Sequence, residues 1–266
     1  MEIVMTNMHN RINEYLSELE REKGITILLA VESGSRAYGF ASENSDWDVR
    51  VIYTRDSDWY LSLNHNWDET FDRTTDDALD VCGWLLPKAL KLMYTGNSAI
   101  HEWIHSSIVY KKNINFYAKM ARLSGEYFSP LPAMWHYVEL ASGNYHRYIE
   151  DRNEYKLKRL LYVWRAMMVS KYVGKHLSFP GTKIDILVKG SSELGVPVMV
   201  QSKVNKLLTM KRSGAELGVG TWEEYSDLLD WLAFEINKTK DYLKNGNVLS
   251  NKMDIEPLNK TFRKFK

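Results

Sequence analysis

Gly34-Ser35-Arg36-Ala37-Tyr38-Gly39-Phe40-Ala41-Ser42-Glu43-Asn44-Ser45-Asp46-Trp47-Asp48 is the stretch that decides the fold. Just before it, Ile25 to Val31 (ITILLAV) is a short apolar run with branched residues that begins directly after Gly24, which predicts a buried strand. At its end, Trp47 to Tyr53 (WDVRVIY) alternates apolar and charged residues, the period of a strand with one buried face. Between the two, Glu32 to Ser45 is rich in Gly, Ser and Asn and predicts a loop holding at most one helical turn. Asp46 and Asp48 open the second strand, and residues two apart on a strand project to the same face.

Those two carboxylates lie about 7 Å apart at the backbone by the rise of a strand, so both can converge on one or two hard cations. Magnesium suits such a site because it takes carboxylate and phosphate oxygens and keeps its waters. The Gly34-Ser35 pair offers backbone N–H groups and a hydroxyl where the chain must approach an anion closely. Together these features predict a site for a metal-chelated nucleoside triphosphate.

Outward from this stretch, Asn10 to Lys23 predicts a helix with Ile12, Tyr15, Leu16 and Leu19 as its apolar stripe. Short strands are expected near Tyr60–Leu63, near Glu69–Phe71, and over Ala78–Val81, the last ending before Gly83. From Leu85 the period turns helical, with Pro87 suited to a first turn and Gly96 as a stop. Further helices are expected over Ala99–His105 and Asn113–Gly125, with Pro130 and Pro132 marking a turn after them. Long helices then follow over Met134–Glu150 and Tyr155–Val173, and others near Ile184–Val188, Val198–Thr209 and Trp222–Asn245. The tail from Gly246 is polar and is expected to lack order at its end. The fold class is therefore α+β: a small mixed sheet with helices over residues 1–110, then a mostly helical, basic domain over 111–266.

The 266 residues carry 35 basic and 34 acidic side chains, a net charge of +1 that conceals a division. Residues 1–150 hold 14 basic and 21 acidic side chains, whereas 151–215 hold 13 basic and 4 acidic. The asymmetry suits an acidic metal site facing a basic phosphate-binding surface, or two helical faces of different charge. A hydrophobic fraction of 44% argues against a disordered chain. The single cysteine, Cys82, excludes an internal disulfide framework and reads as a small buried hydrophobe. Neither a spanning apolar stretch nor a secretory leader is evident, so a soluble cytoplasmic protein with no membrane partner is expected.

Gly-Ser followed by Asp-x-Asp between two strands resembles the signature of the DNA polymerase β-like nucleotidyltransferase superfamily. The runs GSRAYGFASENSDWDVRVIY, DVCGWLLPKALKLMYTGNSAIHEWIHSSIVY and KLKRLLYVWRAMM are similar to its RNA-repair-associated branch, found in bacteria and phages. The resemblance implies transfer of a nucleotidyl group from an NTP to an acceptor hydroxyl, an RNA end foremost, with two Mg2+ or Mn2+ ions and a repair partner such as a ligase. Alternatives are a protein or small-molecule acceptor, or a non-catalytic nucleotide- or RNA-binding module. The resemblance implies that Asp46 and Asp48 hold both ions and that a third carboxylate completes one of them. Asp80 is the expected third, with Asp76 and Asp77 as rivals. Gly34, Ser35, Arg36 and Ser45 are expected at the nucleotide, with Arg36 and Arg50 as phosphate contacts, braces for the carboxylates or plain surface ion pairs. In the helical half, Lys158, Tyr162 and Arg165 fall at i, i+4 and i+7, one helix face suited to triphosphate or RNA phosphates, or to an amphipathic helix whose cations skirt a core. The family pattern favours charges where this chain has Leu85 and Pro87, a departure that counts against a phosphate or substrate role for that helix, although Lys88 remains.

Two further motifs lead elsewhere. Gly34 and Gly39 have half the spacing of a P-loop, but Phe40-Ala41 stands where Lys-Ser/Thr is required. His101-Glu102-Trp103-Ile104-His105 is a literal H-E-x-x-H, able to place two histidines on one face for zinc. Ile108 stands where an extended zinc-protease motif needs glycine, and the histidines are read as incidental.

Overall fold

The computed structural model describes residues 2–63, 67, 69–75, 78–213, 217–245 and 253–266, without the side chains of residues 2–6. Two compact units divide the chain, one of Met1–Tyr38, Ser45–Phe128 and Lys252–Lys266, the other of Gly39–Asn44 and Ser129–Asn251. The division after Phe128 falls later than residue 110, and the chain's last segment returns to the first unit.

In the first unit the order is α1 (Glu2–Lys23), β1 (Thr26–Glu32), α2 (Gly34–Tyr38), β2 (Trp47–Thr54), α3 (Ser57–Leu61), β3 (Thr70–Thr74), β4 (Leu79–Leu85), α4 (Leu86–Tyr94), α5 (Ser98–Ile104), β5 (Val109–Lys112) and α6 (Ile114–Tyr127). The five strands form one sheet in the order β3-β4-β2-β1-β5. Only β2 and β4 run parallel; β1 is antiparallel to both β2 and β5, and β3 to β4. Alternation along the strands sends Ala30, Val49, Val51, Tyr53 and Val81 to one face, where Ile12, Leu16 and Leu19 of α1 cover them. Val31 and Ile52 point to the other face, packed with Leu86, Leu90 and Met93 of α4, Ile100 and Trp103 of α5, and Phe116 and Met120 of α6.

Several expectations change here. Tyr60–Leu63 was expected as a strand, but α3 is a helical turn, because the Asp56 carboxylate caps it by accepting the Trp59 N–H at 2.8 Å. β4 does not stop before Gly83. It runs through to Leu85 because the Phe71 ring occupies the place of the missing side chain, and a Cβ on Gly83 would stand 2.1 Å from Phe71 Cε1. Pro130 and Pro132 sit in the first turn of a helix rather than marking a turn before one. The expected disorder at the chain's end is also corrected. Glu256–Phe265 is a helix whose Leu258, Phe262 and Phe265 pack on the α4–α6 side of the sheet.

The second unit comprises α7 (Pro130–Tyr148), β6 (Glu154–Lys156), α8 (Leu157–His176), α9 (Ile184–Lys189), α10 (Val198–Arg212), β7 (Val219–Thr221) and α11 (Trp222–Asn245). Its centre is α8, where every residue from Leu160 to Ser170 except Tyr162 is buried. A helix apolar on all sides belongs inside a bundle, and α7, α10 and α11 pack around it. Lys171 of α8 and Glu235 of α11 form an ion pair at 2.5 Å with both side chains largely buried. Among the described residues no helix is long and apolar enough to cross a membrane.

Candidate active site

β1 ends in Glu32, and the chain then turns sharply through Ser33 and Gly34. Gly34 has φ +57°, and a Cβ there would lie 2.0 Å from Asp48 Oδ2. Glycine is thus required twice over, for the left-handed backbone and for the carboxylate resting against it. Two contacts lock this turn to β2: Ser33 donates its N–H to the Asp48 carbonyl at 2.7 Å, and Glu32 Oε1 accepts the Asp48 N–H at 2.8 Å. The other oxygen of Glu32 accepts the Tyr110 hydroxyl from β5. Burial pushes the Glu32 carboxyl up to about 7, against the lowering effect of these two hydrogen bonds. Glu32 did not figure among the expected site residues. Its signal was an acid closing an otherwise apolar run, directly ahead of Gly-Ser.

On the sheet, β2 and β4 align Asp48 directly opposite Asp80. Residues opposed in this way share a face, so both carboxylates leave the sheet together. Arg50 follows two positions later on the same face. Its Nη2 donates to Asp48 Oδ1 at 3.2 Å and to Asp80 Oδ2 at 2.9 Å, and its Nη1 to the carbonyls of Val49 at 3.1 Å and Asp80 at 3.4 Å. Arg50 is therefore a brace for the carboxylates. Asp46 stands exposed just before β2 begins. Asp76 and Asp77, the alternative third acids, lie outside the described residues. Among the described residues no three His, Cys, Asp or Glu side chains are drawn together as a metal cluster. The donor chemistry of Asp48 and Asp80 nonetheless fits a hard divalent cation, since two carboxylate oxygens already converge on one positively charged nitrogen.

Arg36 lies over the Trp47 ring at 3.6 Å and donates to the carbonyls of Ser45 at 2.5 Å and Asp46 at 3.1 Å. It clamps the approach to Asp46. Ser35 and Ser45 are both buried.

Residues 8–264 match the family described as RNA repair pathway DNA polymerase beta family. The chain belongs to that family. That membership supports a polymerase beta-like nucleotidyltransferase. It is 35% identical over 210 residues, 79% of each chain, to the uncharacterised protein YcgL of Bacillus subtilis (strain 168). A nucleotidyltransferase-like protein from Exiguobacterium sibiricum 255-15 aligns over 95% of this chain and 91% of its own, with 9% identity and a TM-score of 0.30.

The second unit of this family member changes the reading of α8. Lys158, Tyr162 and Arg165 do share a helix face, but at different depths. Lys158 and Tyr162 are half-buried, and Tyr162 meets the Phe40 ring edge-on at 5.4 Å. Arg165 is buried among the helices around α8, at 3% exposure. The spacing set the face but not the depth, because the central turns of α8 have no solvent side.

The H-E-x-x-H segment holds a polar knot around the buried His101, with His105 at the surface. His101 Nδ1 lies 2.7 Å and His105 Nε2 3.1 Å from the hydroxyl of Ser124 on α6. Glu102 accepts the Tyr38 hydroxyl at 3.0 Å. Burial lowers His101 to about 4 and also lowers His105, so both stay neutral at pH 7.

Proposed function

We propose that the chain is a divalent-cation-dependent nucleotidyltransferase that moves a nucleotidyl group from an NTP to a hydroxyl at an RNA end. The observation that carries this reading is the alignment of Asp48 with Asp80 on parallel strands, two residues after Asp46 and against a glycine turn that leaves room for Asp48. The RNA acceptor rests on the family's repair-pathway description and on the basic segment 151–215.

In the proposed reaction the acceptor oxygen forms a bond to the α-phosphorus, the α–β phosphoanhydride bond breaks, and pyrophosphate leaves. Asp46, Asp48 and Asp80 would hold Mg2+ or Mn2+, two ions in this reading, which when bound supply Lewis acidity to the phosphates and acidify the attacking hydroxyl. The protein's own task is positioning. Glu32 fixes the backbone at Asp48, Arg36 fixes the carbonyls around Asp46, and Gly34 keeps a side chain out of the space beside Asp48. The proposed setting is the cytoplasm of a bacterial or phage-infected cell, alongside a partner such as an RNA ligase.

The test is incubation with each α-labelled NTP, Mg2+, and either total RNA or total protein. Label should enter RNA, and the Asp46→Asn/Asp48→Asn double variant should abolish it while keeping its circular dichroism. Label in protein would move the acceptor. Unchanged labelling by the double variant would overturn the assignment.

A further inference from the structure

The arginine between the two aligned acids has a consequence for how any ion reaches them. One nitrogen, Arg50 Nη2, contacts Asp48 Oδ1 at 3.2 Å and Asp80 Oδ2 at 2.9 Å. The guanidinium is held from behind as well, through Nη1 to two backbone carbonyls. Its side chain is 18% exposed, so water screens these contacts only in part. An arginine does not release its proton in a protein, so the positive charge is permanent.

A magnesium ion bonds oxygen at about 2.0–2.1 Å, and an ion taking both of these oxygens would have to share them with Nη2, bringing two positive charges to one pair of atoms. Two like charges that close in a partly dry corner repel strongly. The ion and the guanidinium therefore compete for the same pair of oxygens.

We propose that Arg50 is a built-in counter-cation of the acidic corner. It holds Asp48 and Asp80 aimed at one point, and a divalent ion must displace it to take the two oxygens it occupies. Arg50 is a positioning residue, and its presence weakens ion binding by the nucleotide-free protein. This rests on the reading that Asp48 and Asp80 are ion ligands.

The test measures Mn2+ binding to the full chain without nucleotide, by the electron paramagnetic resonance of free Mn2+. Arg50→Gln should bind Mn2+ about tenfold more tightly than the unaltered chain, since the competing charge is gone. Melting should move in concert: in chelator Arg50→Gln should melt below the unaltered chain, and Mn2+ should restore most of the difference. A merely structural arginine would lower the melting temperature with no gain in affinity. Arg50→Lys retains a charge but loses the fork to the backbone carbonyls, so it should bind Mn2+ at least as well as the unaltered chain. It decides the matter if Arg50→Gln fails to fold. Weaker or unchanged Mn2+ binding by Arg50→Gln, or weaker binding by Arg50→Lys, would overturn the proposal. Asp48→Asn separates the two ideas. If it binds Mn2+ as the unaltered chain does, the ion-ligand reading itself fails. If it loses binding while Arg50→Gln gains none, only the counter-cation role fails.

Discussion

Two short motifs of the first unit each put a pair of metal-binding residue types on one face, yet the fold treats them oppositely. The Asp46–Asp48 segment leads into a corner where Asp48 and Asp80 keep 27% and 29% of their side chains exposed and share one arginine. In the His101–His105 segment both rings meet one serine hydroxyl, and His101 is 1% exposed while His105 lies at the surface. Partly exposed charge held by a displaceable partner can exchange that partner for a ligand. A neutral pair, one ring buried and one at the surface, that meets a neutral hydroxyl contributes to cohesion instead.

The largest expected effect separates the two directly. Asp48→Asn should lower nucleotidyl transfer at least about a thousandfold with little change in melting temperature, because it removes charge where charge develops in the reaction. Ser124→Ala should do the reverse, leaving transfer within about threefold while lowering stability by about 1–3 kcal/mol through the lost buried hydrogen bonds. Comparable losses of transfer in both variants would erase the contrast.

Gly34→Ala comes next. The left-handed backbone and the 2.0 Å approach to Asp48 Oδ2 should together cost about 2–5 kcal/mol in denaturant unfolding and displace Asp48. A crystal structure of the variant with Asp48 unmoved would contradict this.

The histidine knot should appear as pH dependence. The His101 pKa falls from an ordinary 6.5 to about 4 on folding, so between those values the unfolded chain binds more protons. Stability should therefore be full above pH 6.5 and decline toward pH 4, by about 2 kcal/mol at pH 5. His101→Asn should flatten that part of the profile, as urea midpoints across pH would show.

The smallest effect is the control for the glycine. Gly24 has the same φ, +57°, but a Cβ there meets nothing within 4 Å. Gly24→Ala should cost only the backbone term, about 1–2 kcal/mol, and leave transfer intact.

Periodicity made much of this fold legible. The strands flanking Gly34–Asp48 and the long helices follow from patterns that burial enforces. What escaped depended on partners distant in sequence. The strand β5 is three half-exposed residues and an exposed lysine that gain their structure by pairing with β1. The helix over Glu256–Phe265 has polar neighbours, and its three apolar residues find their partners more than a hundred residues earlier. In the site, the spacing of Asp46 and Asp48 was readable, as was the place of Asp80 between a strand and the Leu85 helix, and the structure sets Asp80 in register with Asp48. Glu32 was missed because a buried acid resembles a loop residue until Tyr110 and the Asp48 amide are seen beside it. Arg165 was placed on the right face at the wrong depth, since a helical wheel carries no information about what surrounds the helix.

The side chain missing at Gly83 extends further than its own strand. Phe71 lies across it from β3 and reaches Tyr53 on β2, with ring centroids 5.3 Å apart, so one ring spans three strands. Slipping β4 by a single residue would withdraw the glycine from under that ring and turn Asp80 to the opposite side of the sheet. Phe71 and Gly83 thus act as an alignment pin for the acids three positions away. A methyl group at Gly83 would be expected to weaken Mn2+ binding with every carboxylate still in the sequence, which places part of the site's specification in a residue with no side chain at all.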